Sequence, residues 1–268
     1  MKSSGDVYNT SVDYNAMELM TIIASRDIED EKIIYVGTGI PMLVTSLAQK
    51  TRNLKITPIF EVGGIGPEMP TLPLSVACSR TTWRALRAAD SSEAFEIAQA
   101  GFADYAFLGG AQIDKYGNLN STVLGDYHAP KVRFPGSGGA NAFASFAWKT
   151  MIIMNHEKRR FVEKVDYITS PGYLDGPGAR ERIGLPPGTG PYKVYSTKGT
   201  FDFDEKTRRM RIFALNPGVT VEDVIANTGF ELVIPSKVRD TDPPTREELR
   251  ILRDEVDPYR IILGRGEA

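Results

Sequence analysis

Residues 32–64 read KIIYVGTGIPMLVTSLAQKTRNLKITPIFEVGG, and this stretch predicts the fold. Lys32 to Val36 is a short β-branched and aromatic run, the composition of a buried strand. It ends in Gly37-Thr38-Gly39. Pro41 then opens a helix through Gln49, because the first helical turn has no use for the N–H that proline lacks. Leu54 to Glu61 reads as a second strand, broken at Gly63-Gly64. Strand, turn, helix and strand in this order make the repeating unit of a parallel sheet.

The same rhythm extends outward. From about Tyr14 to Ile28, Met17, Met20, Ile23 and Ala24 recur at helical spacing. Ser91 to Ala100 reads as a helix with Ser91 or Ser92 as N-cap. Tyr105 to Leu108 is a strand that runs into Gly109-Gly110, and Ala140 to Phe146 is a helix followed by a strand at Thr150 to Met154. The expected fold class is α/β, an open and mostly parallel sheet flanked by helices. The last third differs. Thr169 to Pro191 is too rich in Gly and Pro for regular structure and reads as a long ordered loop. Thr200–Phe203 and Arg209–Ala214 form a hairpin pattern. Thr220 caps a short helix to Asn227 with Gly229 as its stop, and Thr245 with Glu248 makes a capping box for a final helix to about Asp254. With no internal repeat or tail, residues 1–268 are expected to form a single domain.

Composition narrows the class. The 268 residues carry 32 basic and 34 acidic side chains, a net charge of −2, so no global field draws the chain to nucleic acid or membrane. The single cysteine, Cys78, cannot form an internal disulfide, reads as a small core residue, and fits a reducing cytoplasm. The polar N-terminus lacks a signal-peptide pattern, and no apolar run spans a bilayer. A soluble cytoplasmic protein is expected. His128 and His156 lack ligand-spaced partners, so no metal is expected and hydrogen-bonded structural roles are the default.

Three places carry chemistry. Gly37-Thr38-Gly39 follows a strand and precedes a helix, where backbone faces a ligand in open α/β sheets; taken alone, it reads first as a plain tight turn. Glu61 ends an apolar strand run and is flanked by Gly63 and Gly64. A partly desolvated carboxylate there is a better nucleophile, and the glycines admit a substrate; the alternative is an acid salt-bridged at a sheet edge. Gly109 to Asn141 holds two glycine-rich turns, and its GSGGAN end, residues 136–141, precedes a helix. Its amides, at Gly138, Gly139 and Ala140, suit a developing oxyanion. GSGGAN lacks the Lys-Ser/Thr ending of a phosphate loop, and a structural turn is the other reading. Gly37, Gly39, Gly63, Gln112 and Asn141 are placed in the vicinity of substrate. Asn118 and Asn120 read as turn stabilisers.

VGTGIP (36–41), the E-x-G of Glu61–Gly63, GGAQIDKYGNLNSTVLGDYH (109–128) and PKVRFPGSGGAN (130–141) agree in order and spacing with a known family. So do HEKRRF (156–161), YITSPGYLDGPGARERIGLP (167–186), FDEKTRRM (203–210) and EDVIANTGFEL (222–232). In these strings the chain resembles the β subunits of family I CoA-transferases, those of the glutaconate type above all. The resemblance implies a glutamate that attacks an acyl-CoA thioester and passes CoA to a free, possibly dicarboxylic, acid by ping-pong chemistry through a glutamyl-CoA thioester. The nucleophile falls on Glu61, and the glycine pair near the acyl oxygen on Gly138 and Gly139. Coenzyme A is then a substrate, with no permanently bound cofactor. A homologous α subunit in an α2β2 or higher assembly is implied. Val62 departs from the family pattern, which has serine or asparagine beside the glutamate, and GIGPEMP after it differs too. A hydrolase or decarboxylase acting on acyl-CoA, and a non-catalytic partner of the α subunit, stay open as alternatives.

Overall fold

Ile34, Tyr35 and Val36 are all buried, as a strand covered on both faces requires. In the computed structural model, which describes residues 13–52 and 54–264, they belong to β1 (Ile33–Val36). The N-terminal residues 1–12, read above for the lack of a leader pattern, lie outside the described residues. The further strands are β2 (Thr57–Ile59), β3 (Gly64–Ile65), β4 (Arg87–Ala88), β5 (Tyr105–Leu108), β6 (Gln112–Ile113), β7 (Leu119–Asn120), β8 (Val123–Leu124) and β9 (Val132–Arg133). They continue with β10 (Lys149–Met154), β11 (Pro191–Ser196), β12 (Gly199–Phe203), β13 (Met210–Leu215) and β14 (Arg239–Asp240). The α-helices are α1 (Ala16–Arg26), α2 (Ile40–Arg52), α3 (Ser91–Gln99), α4 (Ala140–Phe146), α5 (Ala179–Arg182), α6 (Val221–Ala226) and α7 (Arg246–Arg250).

Ten strands share one sheet in the order β14-β13-β12-β11-β10-β5-β1-β2-β3-β4. Its centre, β11-β10-β5-β1-β2, is parallel throughout. Antiparallel pairs extend it on both flanks, β11–β12–β13 on one side and β2–β3–β4 on the other. Alternation along β1 sends Ile34 and Val36 into a core with α1 and α2, and Tyr35 into a second core with Ile59, Ala106 and Phe143, the period-2 consequence of a pleated strand. Phe143 of α4 lies 4.3 Å from the Tyr35 ring and 5.3 Å from Phe95. Such aromatic pairs contribute about 0.5–1.5 kcal/mol each beyond their buried area, and they hold α4 on the sheet.

Several expectations need correction. The strand expected over 54–61 keeps only Thr57–Ile59. The Phe60 N–H donates to the Gly64 carbonyl and Gly63 N–H to the Phe60 carbonyl, both at 2.9 Å, so a tight turn lifts Glu61 out of the ladder. Asp90, not Ser91 or Ser92, caps α3, accepting the Glu93 N–H at 3.0 Å. Gly229 does not stop α6 through a left-handed conformation; it permits close approach, since a Cβ there would lie 2.6 Å from the Phe161 carbonyl oxygen. The Thr245–Glu248 capping box forms as expected, but the helix continues as a π-helix over Ile251–Val256. Cys78 is only half-buried, ahead of a 3₁₀ turn at Ser79–Thr82, rather than in the core.

Candidate active site

Strand pairing assembles the site. Tyr35 pairs with Ile59 and Val36 with Phe107, so the chain leaves β1 at Gly37, β2 toward Glu61 and β5 toward Gly109 at one edge of the sheet. The carboxyl ends of parallel strands are where open α/β sheets bind ligands. Gly37 allows β1 and β5 to close there: a Cβ would sit 2.9 Å from the Phe107 carbonyl oxygen. Gly63 has φ +102°, and a Cβ would collide with the Ala89 carbonyl at 2.1 Å. The turn that presents Glu61 therefore tolerates only glycine at position 63.

The GSGGAN turn arrives from the other side. The Gly139 N–H donates to Glu61 Oε2 at 2.8 Å. A Cβ on Gly139 would stand 2.7 Å from that oxygen and 2.6 Å from the Phe143 ring; one on Gly138, at φ +48°, would stand 3.3 Å from it. Both glycines are thus needed for backbone to meet the carboxylate. Ala140 does not belong with them: its N–H donates to the Ser137 carbonyl at 2.9 Å, an ordinary turn bond that leaves no free donor. Among the described residues, Gly138 N–H meets no acceptor and no ion pair includes Glu61. Glu61 is half-buried and its Oε1 keeps open acceptor capacity.

A polar floor holds the turn in place. Ser121 and Gly136 exchange two bonds at 3.0 Å, N–H to carbonyl and Oγ to carbonyl. Thr169 Oγ1 accepts the Ser121 N–H at 2.8 Å and lies 2.7 Å from Thr122 Oγ1, and the Thr169 carbonyl accepts from Asn141 Nδ2 at 3.0 Å. Asn141 thus braces the turn from beneath. Gln112 is buried in the next layer, its Oε1 accepting from Asn120 Nδ2 at 2.7 Å and from the Asp166 N–H at 3.0 Å and its Nε2 donating to Asp166 Oδ2 at 3.3 Å, so these bonds go to Asn120 and Asp166 and none to the Glu61 carboxylate. Gly39 has φ +92° with open space where a Cβ would be. The serine and threonine floor was not foreseen, because its members come from two segments nearly 50 residues apart. Among the described residues, no acid, histidine and cysteine cluster could hold a metal, and no helix is long and apolar enough to cross a membrane.

A family model described as coenzyme A transferase matches residues 17–227. The chain belongs to the coenzyme A transferase family. It is 42% identical over 251 residues to the B subunit of glutaconate CoA-transferase from Acidaminococcus fermentans, covering 91% of this chain and 93% of that one. With the B subunit of 3-oxoadipate CoA-transferase from Pseudomonas knackmussii it shares 37% identity over 241 residues, 90% and 92% of the two chains. The crystal structure of the Acidaminococcus fermentans glutaconate coenzyme A-transferase superposes with a TM-score of 0.89 at 39% identity, covering 94% of this chain and 98% of the other. The resemblance carried by the sequence motifs therefore holds, and the mostly parallel α/β sheet is the fold of this coenzyme A transferase. The chain is a CoA-transferase subunit of the β type, an enzyme component that moves CoA between a thioester and a free acid.

Proposed function

We propose that Glu61 is the nucleophile of this CoA-transferase. The observation that carries the reading is the 2.8 Å hydrogen bond from the Gly139 N–H to Glu61 Oε2. It fixes one carboxylate oxygen and leaves Oε1 to attack the thioester carbonyl carbon. The tetrahedral oxyanion that forms needs a donor, and the Gly138 amide on the same turn supplies it. Collapse expels CoA thiolate and gives an acyl-glutamyl anhydride. The thiolate then attacks the glutamyl carbonyl, releasing the first acid and forming a glutamyl-CoA thioester. An acceptor carboxylate attacks that thioester, expelling the thiolate and forming a second mixed anhydride, and the thiolate then attacks its acyl carbonyl, giving the new acyl-CoA and freeing the Glu61 carboxylate. Each covalent intermediate conserves the thioester's free energy, so neither ATP nor a metal enters the balance.

The relatives named as B subunits support an α partner, and the proposal places the complete site where the two subunits meet, in an α2β2 or larger assembly. Their names also support a dicarboxylic or 3-oxo acid as the acceptor class. The continuous ten-stranded sheet supports reading residues 1–268 as one domain. Val62, exposed beside Glu61, places a methyl pair where the family carries a hydrogen-bonding side chain; this bears on the choice of acid more than on the chemistry, because Glu61 is kept. The chain, co-expressed with its α partner, is tested by incubation with acyl-CoA followed by hydroxylamine or borohydride. Modification at Glu61 in the presence of acyl-CoA is the expected result. Glu61→Gln removes the anionic oxygen at nearly constant shape, so CoA exchange should vanish while the complex still assembles; full transfer by that variant would refute the assignment.

A further inference from the structure

Gly139 has φ −77° and ψ −8°, an ordinary right-handed conformation that any residue with a Cβ adopts without strain. Its backbone does not call for glycine; space does. A Cβ there would lie 2.6 Å from Cε2 and 2.9 Å from Cζ of Phe143, and 2.7 Å from Glu61 Oε2, whereas carbon atoms settle about 3.5–4.0 Å apart. The Gly139 backbone is thus held in a gap between an aromatic ring and the carboxylate to which its N–H donates at 2.8 Å. The ring has no room to withdraw. Phe143 is 4% exposed, with the Tyr35 and Phe95 ring centroids at 4.3 Å and 5.3 Å, and its own N–H donates to the Gly139 carbonyl at 3.0 Å. Tyr35 is fixed in turn, its hydroxyl donating to the Ala94 carbonyl at 2.6 Å, and it pairs in the sheet with Ile59, two residues before Glu61. One tyrosine therefore supports both ends of the Gly139–Glu61 bond, the carboxylate through the strand ladder and the amide through the Phe143 ring.

We propose that Phe143 is a positioning residue for the transfer reaction, a rigid spacer that holds the Gly139 amide against Glu61 Oε2 and so keeps Oε1 aimed at the thioester. The proposal rests on the reading of Glu61 as nucleophile and adds the side chain that sets its orientation. Glycine at 139 and phenylalanine at 143 are then a matched pair: the small residue admits the ring, and the ring fixes how closely the backbone approaches the acid. Leucine at 143 would still fill the core, but it lacks the ring edge, Cε2 and Cζ, that faces Gly139. The amide could then relax away from the carboxylate, and a shift of about 1 Å in a reacting group costs on the order of 10²-fold in rate.

The test uses the complex co-expressed with its α partner. Phe143→Leu should lower turnover per folded molecule about tenfold to a hundredfold, with CoA affinity in calorimetric titration retained. Phe143→Met, a milder change, should fall between it and wild type. Phe201→Leu makes the same substitution at a fully buried position of the other core, and should lower stability while leaving turnover per folded molecule intact. Compensation is the readout that a structural role would not give. Gly139→Ala alone should be nearly inactive; with Phe143→Leu beside it, the methyl takes the space the ring has left, and activity should recover roughly tenfold. Amide exchange over residues 136–142 should quicken in Phe143→Leu, which follows the hydrogen bond without any turnover. Trapping of the acyl group on wild-type Glu61 reads the transferase assignment separately, so the two failures are distinguishable. Turnover of Phe143→Leu equal to that of Phe201→Leu, or losses that simply multiply in the double variant, would overturn the proposal.

Discussion

Glu61 and His156 both stand beside apolar strands and both carry side chains capable of proton or acyl chemistry, yet the molecule treats them in opposite ways. Glu61 is half-buried, takes one backbone hydrogen bond, and keeps an oxygen available. His156 is buried with both ring nitrogens committed, Nδ1 to Ser196 Oγ and Nε2 to Thr228 Oγ1, each at 3.0 Å. Its ring stacks on Phe161 at 3.8 Å. A group kept for reaction retains unused hydrogen-bonding capacity at an accessible edge, whereas a structural polar group exhausts its capacity inside. Arg180 is the extreme of the second kind. It is buried among the Gly- and Pro-rich segment, donating to the carbonyls of Pro171, Gly172, Ala144 and Ser145 and to Thr189 Oγ1, with no carboxylate among these acceptors.

The sharpest way to break this contrast is Gly139→Val. The added carbons would meet Glu61 Oε2 and the Phe143 ring, so the amide would tilt off the carboxylate. We expect turnover per folded molecule to fall about 10²–10³-fold, or roughly 3–4 kcal/mol of transition-state stabilisation. Affinity for CoA should change much less. Normal specific activity in a destabilised protein would place this turn among the structural groups instead.

Arg180→Met probes the opposite class. It strands four buried carbonyls without a donor, and a lost network of this kind should lower unfolding free energy by about 3 kcal/mol. Denaturant titration should show the loss while specific activity per folded molecule is retained. Unchanged stability with lost activity would move Arg180 from scaffold to site.

How much of this was legible in sequence depended on the range of each interaction. Local signals carried well. The strand-turn-helix rhythm over 32–49, the Thr220 cap, the Thr245 capping box, and α4 at Ala140–Phe146 all appear where their residues predict. Asp90-Ser91-Ser92 offers three residues of capping type in succession, and only geometry shows that Asp90 reaches Glu93. Glu61 was recognisable as an unusual acid, but its placement on a turn follows from the Phe60–Gly64 closure and the pairing of β3 with β4; two-residue strands carry no periodicity. The β6–β7 and β8–β9 ribbons were invisible for the same reason. Arg180 left no trace, since four of its five acceptors are carbonyls, present at every position, and two of these belong to a segment some 35 residues away.

The smallest effect separates the two classes by pH. Burial pushes the His156 imidazole down from its ordinary 6.5 to about 3, so the native state holds it neutral while the unfolded chain protonates below about pH 6.5. Below that pH the unfolded state binds the extra proton, and stability falls as pH drops from about 6.5 toward 3. At pH 5 the cost is about 1.5 pH units at 1.36 kcal/mol each, or roughly 2 kcal/mol. Asp114 opposes it. Burial raises this carboxyl to about 6 from 3.8, so the native state takes up its proton first and gains stability as pH falls through that range. Because Asp114 is present in both proteins, the difference between wild type and His156→Gln isolates the imidazole. The variant should be less stable at pH 7, having lost hydrogen bonds, and the gap should shrink by about 2 kcal/mol at pH 5. The pH dependence of kcat should be the same in both, since the ring nitrogens bond Ser196 and Thr228 and the ring packs on Phe161 and Phe201, with Glu61 among none of these partners. Parallel stability curves would show that the buried ring is not held neutral, and a shifted pH–rate profile would return His156 to the chemistry from which its hydrogen bonds remove it.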